Sequence, residues 1–206
     1  MNILGGVHQP DKGEIVVDGK VVHFLTPADS LNAGIAFIHQ ELNLINDLNI
    51  YENMFIGREL TRENGLLDID EMIAQTAEIF DRLGLDINPR TMVRDLDSSY
   101  KQVVEITRAL LMNASIIIMD EPTTSLTATE IERVFTMMRT LRQQNVGIVF
   151  ISHKLNEVMQ ICDRYEVLRD GEKAGAGNID EVATADLARM MVGHDIRVHQ
   201  LQRQKN

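Results

Sequence analysis

Ile116-Ile117-Ile118-Met119-Asp120-Glu121-Pro122 is the stretch on which the fold turns. Four apolar residues in succession lack the alternation of a strand with one wet face, and read as a strand covered on both sides, as in parallel sheets. Two more segments read the same way: Gly34-Ile35-Ala36-Phe37-Ile38 upstream and Val146–Ile151 downstream. Between the last two, Thr127 and Glu130 have the spacing of a capping box, and Ile131, Val134, Phe135, Met138 and Leu141 follow at helical intervals. Strands alternating with helices predict an α/β fold with a parallel sheet.

Working outward, the block from residue 41 to about 112 carries a helical pattern. Ile73, Ala77, Phe80 and Leu83 lie three and four apart ahead of Gly84, and Val103, Ile106 and Leu110 make a second stripe. Asp18-Gly19 between two β-branched runs predicts a hairpin over about 14–24. Met1-Asn2-Ile3-Leu4 before Gly5-Gly6 reads as the last turn of a helix with its glycine stop. Beyond the third strand, Leu155, Val158, Met159 and Cys162 stripe a further helix, and Tyr165–Arg169 runs into a turn at Asp170-Gly171. These patterns divide the chain into residues 1–40 with the hairpin, a helical subdomain over 41–112, a return to the α/β core over 113–196, and a polar tail or linker over 197–206. There is no internal repeat.

Composition narrows the function. Twenty Lys and Arg against 31 Asp and Glu give a net charge of −11, which weighs against phosphate-backbone binding and hence against a nucleic-acid partner. Aromatic residues at 4% and the absence of Trp weigh against a stacking platform for single strands. No apolar run approaches the ~20 residues that cross a bilayer. One cysteine, Cys162, leaves no internal disulfide, and a cytoplasmic setting is expected.

The chemistry gathers at the strand ends. A buried strand that runs into Asp120-Glu121 sets two acids at the carboxyl edge of a parallel sheet, where such folds bind ligands. In nucleotide chemistry the first acid holds Mg²⁺, through its water shell, and the second orients the attacking water; the plainer alternative is a strand that exits into an acidic loop. Ser152-His153 ends the next strand, where an imidazole beside the acids would contact a γ-phosphate. Gln40 ends the remaining one and offers an amide oxygen to complete a Mg²⁺ shell without adding charge.

Together, Gln40-Glu41, the run Ile116–Glu121-Pro122-Thr123 and Ile151-Ser152-His153 resemble the Q-loop, Walker B segment and switch histidine of the ATP-binding cassette (ABC) ATPases, in that family's order and spacing along nearly the whole chain. Ile38–Ile45, Glu52–Arg58, Val104-Glu105-Ile106, Glu121–Thr127 and Met190-Met191-Val192-Gly193 narrow the resemblance to the first ATPase half of the tandem proteins that energise bacterial monosaccharide importers of the ribose, galactose and allose type.

The resemblance implies a P-loop NTPase-like core with a helical subdomain, and ATP and Mg²⁺ as cofactors. Asp120 and Gln40 serve the metal, Glu121 activates water and His153 senses the γ-phosphate. It further implies ATP sandwiched against a second ABC ATPase domain, a permease docked on the helical block with Leu42–Arg58 as contact surface, and an indirect link to a sugar-binding protein. The setting would be cytoplasmic, peripheral on the inner face of the cell membrane.

Two features depart from the family. G-x-x-x-x-G-K-[ST] occurs nowhere in the chain, which leaves activity of this chain alone open; in the family, the helix opening on that loop continues into residues resembling Met1–Gly6, so the chain is expected to begin just past the loop and to lack the first strands. Second, Val104-Glu105-Ile106 places Leu96-Asp97-Ser98-Ser99-Tyr100-Lys101-Gln102 over the signature motif, commonly Leu-Ser-Gly-Gly-Gln. Asp97, Ser98, Ser99 and Gln102 then face the nucleotide, with a carboxylate where a serine belongs; the alternative is that Asp97 only caps the helix from Tyr100. The leading expectation is an ATP-hydrolysing subunit, or a fragment of one, for sugar import. The alternatives are an inactive ABC domain that only docks on a permease or partner, and a soluble ABC ATPase acting on ribosomes or DNA.

Overall fold

The computed structural model describes residues 1–193, so the expected tail over 197–206 lies outside the described residues. The chain forms two compact units, one spanning Met1–Ile151 and the other beginning at Ser152.

In the first unit the three apolar runs form one parallel sheet. Strands β3 (Ile35–Ile38), β4 (Ile116–Asp120) and β5 (Gly147–Ile151) lie in that order, β4 central, with Ile38 opposite Met119 and Asp120 opposite Ile151. The hairpin ahead of them pairs β1 (Ile15–Val17) with β2 (Lys20–Val22), and α1 spans Pro27–Asn32. Ile117, Ile118 and Met119 are buried because both faces of β4 are covered. On one face Ile118 packs with Phe24 and Ile35, under Ile15, Val17 and Val22 of the hairpin. Against the other lie α4 (Ser98–Leu111) and α5 (Ala128–Gln143), whose Val103, Val104, Ile106, Val134, Phe135 and Leu141 are fully buried; Phe135 meets Phe150 of β5 edge to face. Each such side chain contributes about 1.5–3 kcal/mol on burial, so this layer dominates the stability of the unit.

The hairpin turns at Asp18 and Gly19, both at positive φ, as the right-handed twist of the strands requires. Met1–Gly6 makes a helix-like turn, Gly5 N–H donating to Met1 O, closed by Gly6 at φ +70. A Cβ at Gly6 would sit 2.3 Å from Thr26 O, so only glycine fits.

The block expected to be helical is less continuous than its sequence pattern. It holds α2 (Ile50–Phe55), α3 (Ile69–Arg82), a short 3₁₀ turn at Val93–Asp95 and α4. Residues 56–68 instead make a tight loop in which Thr61 bridges Leu67 around Asn64-Gly65, a hairpin-turn pair whose signal outweighs the flanking apolar residues.

The second unit contains α6 (Leu155–Ile161), an antiparallel hairpin of β6 (Arg164–Arg169) and β7 (Glu172–Asn178) turning at Asp170-Gly171, and α7 (Thr184–Val192) with Leu187 buried. Strand β7, Glu-Lys-Ala-Gly-Ala-Gly-Asn, has a composition that disfavours strands. Its glycines serve close approach: a Cβ at Gly175 would lie 2.5 Å from Met190 Sδ, and one at Gly177 3.2 Å from the Tyr165 ring.

Candidate functional site

The strand register brings two of the sequence candidates to one sheet edge. Because Ile38 faces Met119, the chain leaving β3 carries Gln40 alongside Glu121 leaving β4. Both line a cavity of about 190 Å³ together with Ser98 and Gln102 from the start of α4 and with Pro122, Thr124 and Ser125. Four residues picked out from the sequence therefore surround one space at the carboxyl end of the sheet. Gln102 is 4% exposed and its Nε2 donates to no described group, so an amide donor is held at the cavity wall without its own partner.

Glu121 sits in the left-handed region, φ +49, directly after β4. That backbone is uncommon for a residue with a long side chain and costs about 1–3 kcal/mol, so the surrounding structure must hold it. It does: Glu121 N–H donates to Ile151 O at 3.0 Å, and Thr124 Oγ1 donates to both the carbonyl and the Oε2 of Glu121 at 3.1 Å. The result turns the carboxylate out of the strand line toward the 122–126 loop. Asp120, half-buried, remains in register with Ile151 as the last residue of the strand.

Asp97 is placed differently. It is the N-cap of α4, its Oδ1 accepting from Tyr100 N–H at 2.8 Å and Ser99 Oγ at 2.7 Å. Its Oδ2 accepts from Arg133 Nη1 of α5 at 2.9 Å. Arg133 also bonds the Ser99 hydroxyl, and its guanidinium lies 4.1 Å from the centre of the Tyr100 ring. Partial burial pushes the Asp97 carboxyl up, but the Tyr100 amide, the Ser99 hydroxyl and Arg133 outweigh it and hold the group below the usual carboxylate range. Ser99 is buried and Ser98 is exposed. His153 belongs to the second unit and is exposed there.

No group of three or more His, Cys, Asp or Glu side chains placed to hold a metal occurs among the described residues. Asp120 and Gln40 are hard oxygen donors, and one carboxylate with one amide fits Mg²⁺ held chiefly by phosphates and water, not by an all-protein cage.

A larger cavity, about 350 Å³, lies on the other side of the residues leaving β3. Phe37, Met54, Ile56 and Ala109 give it apolar walls, and Arg58, Glu105 and Arg108 set charge into them. Glu105 is 5% exposed and pairs with Arg108 at 2.7 Å. Burial raises its carboxyl above the ordinary range against the pull of Arg108, the Asn43 amide and His39. Burial likewise lowers the Arg58 guanidinium, with neighbouring Arg108 adding to the shift. Arg58 closes the expected Leu42–Arg58 contact surface, whereas Glu105 and Arg108 were not among the sequence candidates: they are three apart on an otherwise apolar helix face, a signal easily taken for surface pairing.

The model for the ABC transporter family matches residues 1–124. A ribose import ATP-binding protein, RbsA, from Rhodopirellula baltica is 45% identical over 206 residues, covering 100% of this chain and 40% of the relative. RbsA from Caldanaerobacter subterraneus is 44% identical over 199 residues, covering 97% of this chain and 40% of the relative. The chain thus spans about two fifths of the length of these curated relatives. Among solved structures, the ADP conformation of MJ1267, an ATP-binding cassette of an ABC transporter, superposes with a TM-score of 0.78 at 22% identity, over 94% of this chain and 82% of that one.

Proposed function

Since this chain belongs to the ABC transporter family of ATP-binding proteins and has the α/β fold of an ATP-binding cassette, we propose that it acts in the ATP-hydrolysing subunit of a monosaccharide importer of the ribose or galactose type. The observation that carries the reading is the convergence of Gln40, Ser98, Gln102 and Glu121 on one cavity at the carboxyl end of the parallel sheet.

In this reading ATP is sandwiched between this chain and a second ABC ATPase domain. Asp120 and Gln40 hold Mg²⁺ beside the phosphates, where the ion neutralises phosphate charge. Glu121, turned out of the strand by its left-handed backbone, accepts a proton from the attacking water. His153 contacts the γ-phosphate and responds to its loss. Ser98 and Gln102, at the start of the helix that Asp97 caps and Ser99 ties to Arg133, face the nucleotide bound by the other domain. The 350 Å³ cleft and the neighbouring Leu42–Arg58 segment receive the permease: its apolar walls suit a helix, and its arginines suit an acidic residue on that helix. Sugar selection then resides in other subunits, and the chain works at the cytoplasmic face of the membrane. No helix among the described residues is long and apolar enough to cross it.

The test is reconstitution in proteoliposomes with permease, sugar-binding protein and partner ATPase domain. ATP-dependent uptake of labelled ribose or galactose that requires this chain is the expected result. Uptake or ATP turnover that is indifferent to its omission contradicts the reading.

A further inference from the structure

We propose that Arg133 is a positioning residue for the nucleotide: it neutralises Asp97 at the start of α4 and leaves the Ser98 hydroxyl as the group that meets the triphosphate. This rests on the proposed ATPase function and goes beyond it, because it assigns a role to a residue of α5, outside every nucleotide motif.

The difficulty it resolves is electrostatic. An aspartate at the turn facing a triphosphate would repel it if its charge stood alone. In the structure it does not. Arg133 reaches across from α5 to Asp97 Oδ2 at 2.9 Å, while Tyr100 N–H and Ser99 Oγ occupy Oδ1. Arginine suits this post, since its Nη1 bonds both Asp97 and Ser99 while the planar guanidinium lies 4.1 Å from the Tyr100 ring centre. The aspartate is thus tied down on both oxygens, Ser99 is buried, and Lys101 of the same helix turn bonds Asn46 Oδ1 at 2.9 Å.

Ser98 is what remains. It is exposed, no side-chain hydrogen bond to a described residue holds it, and it lines the cavity shared with Gln40, Gln102 and Glu121. The hydroxyl contact is therefore displaced by one residue from the position a serine takes in the family motif.

The test uses the assembled transporter, in which the partner domain presents MgATP to this chain. Arg133→Met should raise the KM for ATP about tenfold while kcat changes little, because the exposed Asp97 charge opposes substrate and transition state alike. Adding Asp97→Ser to that variant should return KM to within about twofold of the parent. Arg133→Lys, which keeps the charge but not the planar contact with Tyr100, should raise KM less than Arg133→Met. Arg133→Gln, which is polar but carries no charge, should behave like Arg133→Met and replaces it should Arg133→Met not fold. A KM unchanged in both neutral variants, or raised equally in the double variant, overturns the proposal; a purely structural Arg133 would lower thermal stability without any rescue by Asp97→Ser. Absence of MgATP turnover in the parent complex would instead overturn the ATPase reading itself.

Discussion

Asp97 and Glu121 are both carboxylates at the end of a regular element, and the structure holds them in opposite ways. Asp97 sits in extended backbone, φ −69 and ψ 168, the conformation of an N-cap, with a partner on each oxygen. Glu121 sits at φ +49, a conformation that its own side chain disfavours and that its neighbours enforce. Where local preference and observed conformation agree, the residue stabilises the fold. Where they conflict, the fold is spending stability to aim a side chain, and the aimed group is the one to examine for chemistry.

Removal of each side chain should therefore affect folding with opposite sign. Asp97→Ala abolishes a helix cap and an ion pair, and should lower unfolding free energy in urea by about 1–2 kcal/mol. Equal stability of this variant and the parent would reduce the Asp97 network to decoration. Glu121→Gly relaxes the left-handed backbone and should raise unfolding free energy by about 0.5–1 kcal/mol, the relief exceeding the entropy that glycine adds to the unfolded chain. A clear loss of stability would mean that the Thr124 contact with the Glu121 carboxylate outweighs the backbone cost.

The smallest effect is in pH. The Asp97 carboxyl titrates below its unfolded value of about 3.8 when folded, so its contribution is fully present above that value and is lost as pH falls through the folded one. Asp97→Asn should flatten the parent's stability profile in that acid range and leave it parallel near neutrality. A profile that the substitution does not change below pH 4 would show that the ion pair is absent in solution.

Most of the core was legible because its signals are local and repeated. The apolar runs at 35–38, 116–119 and 147–151 have no other comfortable reading, and the Thr127–Glu130 capping box appears with both of its bonds. Strand β7 was not legible, since its glycines are chosen for the approach of Met190 and Tyr165, which only the folded chain brings near. The site divides in the same way. Gln40 and Glu121 follow from strand ends, and the cap at Asp97 from residue type. Arg133 could not be found, because its partner is 36 residues away in sequence and nothing in α5 announces it. The Glu105 and Arg108 pair was hidden for a related reason: its importance comes from burial, which spacing does not reveal.

The most direct test of the account is Glu121→Gln in the assembled transporter, with ATP binding and steady-state ATP turnover measured side by side. The substitution keeps the size and the Thr124 contact but removes the proton acceptor. Binding should persist while turnover falls by about 10²–10⁴. Turnover equal to the parent's would contradict the assignment and leave the strained carboxylate at the end of β4 without a chemical role.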